Sequence, residues 1–226
     1  MTFNQFSRSE VLVPSISITE AARHDNVNFY SWKAHKDWVT EVHYSKELNA
    51  IISSSNHGPS AICISSMPEN TIGWNSSSKF KPDKNYISIS KGVKTFAFAS
   101  RGNTLVTGGI DRIVRIFNIP SRTFQISKAT GFLKGHNNPV IYVGIDQKEN
   151  RLISASQDNV IRVWDMSEQT CLVILNPKTH QIKSDFTAML YPPHLKCLIL
   201  ATDVINLLEI EVQASTSATT NTGFIL

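Results

Sequence analysis

Ser154, His136 and Asp158 are the side-chain types that a nucleophile, its general base and an orienting acid would need. Nucleophilic catalysis also needs the serine on an exposed, strained turn. Ser154 instead lies within RLISAS, a run with strand character, and no Gly-x-Ser-x-Gly elbow surrounds it. The three residues therefore read as structural. Cys63, Cys171 and Cys197 are odd in number, unrelated in spacing and each set in apolar, strand-like sequence, which predicts buried free thiols and not disulfides or zinc ligands. Gly108-Gly109 lacks the following helix that a phosphate-cradling loop requires. With no paired carboxylates and no metal-ligand spacing, the sequence predicts no enzyme, no cofactor and no metal.

The elements that carry these residues are short strands. Val140–Ile145, Arg151–Ala155 and Val160–Asp165 are rich in β-branched side chains and separated by turn formers, so they predict an antiparallel meander. One meander cannot bury both of its faces; it needs neighbours of its own kind. They are visible as a repeat. Val93 and Val140, Thr107 and Ser154, Asp111 and Asp158, and Phe117 and Trp164 are each 47 residues apart. His35 and His136, Val39 and Val140, and Ser53 and Ser154 are each 101 apart. A fainter copy, Phe186–Tyr191 and Leu198–Thr202, follows at an interval of 46, with Leu207–Val212 as its outer strand.

Gly135-His136 at the head of the unit, Ser154-Ala155-Ser156 in its middle strand, Asp158 in the next turn and Trp164-Asp165 at its close resemble the WD-repeat family. The resemblance implies an all-β, WD40-type β-propeller, here an incomplete arc of four to five four-stranded blades. The expected division is a partial N-terminal blade at 1–33, a repeat with an inserted loop at 34–91, and repeats at 92–134 and 135–178. A degenerate repeat at 179–212 and a disordered Ser/Thr-rich tail at 213–226 follow. The resemblance also implies a hydrogen-bonded tetrad of His136, Ser154, Asp158 and Trp164 that staples the third repeat, as a chain Trp–Ser–His–Asp. Two repeats keep only part of it. The first retains His35 and Ser53 but has His57 and Cys63 in the other slots; the second retains Thr107 and Asp111 but has Ile89 and Phe117, so apolar packing is expected to replace its staple. A count short of a ring makes the chain an expected fragment or shortened isoform of a longer propeller protein.

Composition narrows the partners. A formal charge of +4 and 41% hydrophobic residues are those of an ordinary globular protein, and the basic residues are scattered. Only Lys79, Lys81 and Lys84 cluster, in the polar run WNSSSKFKPDKN, which reads as a long exposed loop; a nucleic-acid footprint needs a concentrated stripe. No apolar run is long enough for a membrane span, and the first residues lack a secretory pattern, so an intracellular, cytoplasmic protein is expected. The resemblance implies a non-catalytic scaffold for other proteins. Its expected contact face carries the turn after the second strand and the connection into the next blade: Ile110, Arg112, Asn137, Asn138, Gln157 and Asn159. The segment AHKDWVTEVHYSKELNAIISSS is similar to the long, divergent WD-repeat proteins of motile cilia and sperm axonemes, which implies axonemal or cytoskeletal partners. The alternative is a recognition module of a regulatory complex, as a ubiquitin-ligase adaptor or an RNA-associated protein.

Overall fold

Strand formers and turn formers alternate through the chain at a pitch that leaves about five residues per strand, and fifteen strands result among the described residues. The computed structural model describes residues 31–67, 82–120, 123–124, 128–176, 182 and 184–210. Two compact units are present. Of the first, Met1–Trp32 with Asn70–Lys81, only Ser31 and Trp32 are described; every strand belongs to the second, Lys33–Glu69 with Pro82–Leu226. The tail expected at 213–226, and the N-terminal blade at 1–33 apart from its last three residues, lie outside the described residues.

Four antiparallel sheets follow one another in chain order. The first comprises β1 (Val39–Ser45), β2 (Ala50–Ser55), β3 (Ile62–Ser66) and β4 (Lys84–Ile87). The second has β5 (Thr95–Ala99), β6 (Thr104–Gly108), β7 (Ile113–Asn118) and β8 (Gly131–Lys134). β9 (Val140–Asp146), β10 (Arg151–Ser156), β11 (Ile161–Asp165) and β12 (Cys171–Leu175) form the third, and β13 (Ala188–Leu190), β14 (Cys197–Ala201) and β15 (Ile205–Glu209) the fourth. In every sheet the strands pair in the order of the chain. The polar run expected as loop contributes to one of them: Lys84 and Asn85 are in β4, where they pair with Ser65 and Ile64. An outermost strand needs backbone partners on one side only and keeps polar side chains in water, so it carries little sequence signal.

The same turn chemistry recurs in each sheet. The first hairpin closes on a residue with positive φ, Asn49 (43°), Asn103 (48°), Asn150 (53°) and Lys196 (51°). Asparagine tolerates this left-handed conformation better than most side chains. Adjacent sheets are tied by equivalent backbone bonds, Val93 N–H to Ser55 O at 2.8 Å and Val140 N–H to Gly109 O at 3.0 Å. Gly108 permits the approach of β6 to β9, since a Cβ there would lie 2.5 Å from Val140 Cγ1.

The apolar residues collect between sheets. Ile52, Ile62 and Ile64 meet Leu105 and Phe117; Val106, Val114 and Leu133 meet Val140, Leu152 and Trp164; Ile153, Ile161 and Val163 meet Leu198, Leu200 and Leu208. Each such side chain contributes about 1.5–3 kcal/mol on full burial. Among the described residues no apolar cluster joins the first sheet to the fourth. Within this second unit the described sheets form an all-β arc that stays open. Its end sheets show apolar side chains to solvent: Val42 is 60% and Tyr44 54% exposed on β1, Ile205 77% and Leu207 64% on β15.

Candidate functional site

The third sheet assembles the polar cluster, and a strand's two-residue period explains how. Ser154 and Ser156 lie on the same face of β10, so both hydroxyls reach His136, which precedes β9. Trp164 Nε1–H donates to Ser154 Oγ at 2.8 Å, and Ser154 Oγ lies 2.7 Å from His136 Nε2. His136 Nδ1 lies 2.8 Å from Ser156 Oγ, and the Ser156 hydroxyl donates to Asp158 Oδ1 at 2.5 Å. The expected direct link from histidine to aspartate is therefore corrected to one relayed by Ser156.

Proton counting fixes the direction of the relay. The Asp158 carboxylate only accepts, so Ser156 spends its one proton there and must accept from His136 Nδ1–H. A neutral His136 then accepts at Nε2 from Ser154, whose oxygen accepts from the indole. Burial, reinforced by the Arg162 guanidinium, lowers the His136 pKa to about 4, with Asp158 acting weakly the other way. The imidazole is thus neutral at neutral pH. Desolvation opposes ionisation of Asp158, but hydrogen bonds from Ser156 and Asn138 outweigh it and hold the carboxyl below its usual range. Arg162 closes the cluster, with its guanidinium 5.6 Å from the Trp164 ring centroid and its Nη2 2.9 Å from Gly135 O. Ser154 is fully buried and its hydroxyl is consumed within this relay, so the cluster staples strands and offers no nucleophile.

The first sheet keeps half of this arrangement. His35 Nδ1 meets the Ser60 carbonyl at 2.5 Å, which it can approach only as a donor, so Nε2 accepts from Ser53 at 2.7 Å. Burial lowers the His35 pKa, in keeping with a neutral ring. Here a backbone carbonyl does the work of Ser156 and Asp158. His57, in the aspartate slot, instead pairs through Nδ1 with Ser60 Oγ at 2.9 Å. In the second sheet Ile89 and Phe117 are 5% and 3% exposed and pack in the core, as expected for an apolar substitute. The substitution is incomplete. Thr107 Oγ1 is buried without a hydrogen-bond partner, while Asp111 has moved to local duties, accepting from Ile113 N–H at 3.2 Å and facing Arg115 Nη1 at 2.6 Å.

All six expected contact residues lie at one end of the sheets, and five of them reach its surface. Ile110 is 47% exposed, Arg112 Nη1 donates to Asn137 O at 3.3 Å, and Gln157 N–H donates to Pro139 O at 2.9 Å. Asn138, half-buried, bonds Asp158. The turn after β6, the β8–β9 connection and the turn after β10 thereby form one continuous surface. Asn159 is the correction. It is 7% exposed with φ 65°, its amide donates to Ser184 O at 3.2 Å and Asp185 Oδ1 at 3.4 Å, and it accepts from Phe186 N–H at 3.3 Å. Its side chain replaces, at the third interface, the backbone tie seen at the first two. The cysteines also differ from expectation, since Cys63 is buried but Cys171, on an outer strand, is exposed. Among the described residues no group of His, Cys, Asp or Glu could hold a metal ion, and no helix is long and apolar enough to cross a membrane.

Successive antiparallel sheets, the third stapled through a Trp–Ser–His relay, set the frame for comparison. The family profile "WD domain, G-beta repeat" matches residues 80–118 and 127–165. The chain carries WD40 repeats. It is 29% identical over 170 residues to the "WD repeat-containing protein on Y chromosome" of Drosophila pseudoobscura pseudoobscura, covering 74% of this chain and 15% of that one. The protein of the same name from Drosophila mojavensis is 30% identical over 138 residues, covering 61% and 10%. The chain thus spans only about a seventh of the length of the first of these curated relatives. The WD40 β-propeller domain of Doa1 shares the fold, with a TM-score of 0.58 at 16% identity over 78% of this chain and 53% of that one. WD40 propellers are typically interaction scaffolds for other proteins.

Proposed function

We propose that this WD40-repeat chain is a non-catalytic scaffold that holds other proteins, and that its contact face is the end carrying Ile110, Arg112, Asn137, Asn138 and Gln157. One observation carries the reading. These residues come from three separate turns, and the Arg112–Asn137 and Gln157–Pro139 bonds join those turns into one rigid surface over two sheets. Stiff strands below and varied side chains above suit recognition, whereas the buried and consumed Ser154 does not suit catalysis. The test is affinity purification of the tagged full-length protein beside an Ile110→Glu/Gln157→Arg variant. Loss of captured proteins from a variant that still melts cooperatively is expected; an unchanged set overturns the assignment of this face.

The setting of the scaffold is an intracellular ciliary or axonemal assembly, with axonemal or cytoskeletal partners. The support is the likeness of its first repeat to divergent WD-repeat proteins of motile cilia. A tagged full-length protein should fractionate with axonemes, and a purely diffuse cytosolic distribution overturns the setting.

A further inference from the structure

The first and third sheets are the same blade built with different side chains, so each shows what the other lacks. In the third, Trp164 and Arg162 fill the space beside His136, and Gly135 makes room for them: a Cβ at Gly135 would lie 3.0 Å from Arg162 Nη1 and 3.4 Å from Trp164. Registered on Ser53 and Ser154, the first sheet has Cys63 where the third has Arg162 and Ser65 where it has Trp164, and Ala34 precedes His35 as Gly135 precedes His136. The indole and the guanidinium are both gone, and an alanine stands where glycine was needed. The bulk has moved to the outer strand. Arg162 opposes Ile174 across the third sheet, whereas its counterpart Cys63 opposes Tyr86 across the first. Tyr86 is 45% exposed and does not refill the inner space.

What remains is a cavity of about 330 Å³ beside His35, walled by Ala34, His57, Pro59, Ser60 and Tyr86 and rimmed by Lys33 and Lys36. Its charge is one-sided. Among the described residues no carboxylate lines it, neither lysine has an ion-pair partner, and the second ring nitrogen of His57 has no partner either. Two further exposed lysines, Lys91 and Lys94, flank Gly92, which packs so tightly on Asn56 that a Cβ would fall 2.2 Å from its carbonyl oxygen. That contact brings the lysine pair to the His57 turn. Uncompensated cations around a concave, partly aromatic wall attract an oxyanion.

We propose that this cavity receives an acidic side chain, carboxylate or phosphate, presented by a protein partner that docks on the turn end of the sheets. The proposal rests on the scaffold reading given above and adds the chemistry of the partner. The oxyanion lies between Lys33, Lys36 and the His57 ring, and its carrier chain passes over Tyr86 and Pro59. Because the lysines are exposed, each contributes modestly and the interaction weakens with salt.

The test uses the full chain and three fluorescently labelled peptides of one length, rich in glutamate, in phosphoserine and in glutamine, read by fluorescence polarisation. Saturable binding of an acidic peptide and none of the glutamine peptide is expected. A Lys33→Glu/Lys36→Glu chain should bind about tenfold more weakly, as reversal of two rim charges predicts, while Lys148→Glu, in the β9–β10 hairpin, should remain within about twofold. The tighter of the two acidic peptides identifies carboxylate or phosphate as the natural group. Absence of binding by both, or equal loss in the Lys148→Glu chain, overturns the proposal. Either result leaves the scaffold reading standing, because the pull-down with turn-face variants tests that separately.

Discussion

Replacing Ser156 with alanine should damage the third sheet more than replacing Asp158, although only the aspartate belongs to the recognisable sequence pattern. Ser156 is fully buried, accepts from His136 Nδ1–H and donates to Asp158. Its removal breaks both bonds and leaves the imidazole N–H buried without an acceptor, a loss of about 1–3 kcal/mol. Asp158→Ala removes an exposed acceptor, and the freed Ser156 proton can turn to Val160 O, 3.3 Å away. The other donors to Asp158, the Asn138 amide and Val160 N–H, are only half-buried and can turn to water, so that loss stays below about 1 kcal/mol. In a domain of this size each kcal/mol moves Tm by about 2–4 °C, so far-UV circular dichroism during thermal and urea unfolding separates the two variants. The double variant should melt close to Ser156→Ala alone, because the aspartate acts only through the serine. An Asp158→Ala loss equal to or larger than that of Ser156→Ala would refute the relay and restore a direct histidine–aspartate bond.

Acid should weaken the fold through His136. Its pKa falls from 6.5 in the unfolded chain to about 4 when folded, so below pH 6.5 the unfolded chain takes up a proton that the folded one refuses. The stabilisation is complete above pH 6.5 and is lost progressively towards pH 4, by up to ~3 kcal/mol; urea midpoints between pH 7.5 and 4.5 should fall, and less steeply in His136→Asn. Thr107→Val removes a buried hydroxyl that has no partner and keeps the side-chain shape. It should be neutral or raise stability by up to about 1 kcal/mol, measured as a urea midpoint; a clear loss would show that the hydroxyl is satisfied after all. Asn159→Ala deletes the ties to Ser184, Asp185 and Phe186 and places alanine at φ 65°. Amide exchange should accelerate in β13–β15 while β1–β4 are unaffected, and uniform acceleration would contradict a local tie.

Much of this architecture was legible along the chain. Recurrence of Val93 at Val140, Thr107 at Ser154 and Asp111 at Asp158 was enough to separate the second sheet from the third, because each blade is a local meander whose hydrogen bonds join neighbours in sequence. The His136, Ser154 and Trp164 positions could be named for the same reason. Other features depend on contacts that sequence spacing leaves open. Ser156 reads as one more small residue of a strand until His136 is placed beside β10. Asn159 reads as a turn asparagine, and its burial comes from the chain at Ser184–Phe186 folding over it. Strand β4 is too polar to announce itself and exists because β3 offers it free backbone groups. The sequence by itself determined the repeating unit and the partners within it, since those follow from β-branched runs, turn formers and periodicity over a few tens of residues. Only the tertiary structure decided which polar atoms are buried and which face is shared between blades. Burial is a property of what packs from outside the unit, and a cavity such as that beside His35 is defined by side chains that are absent.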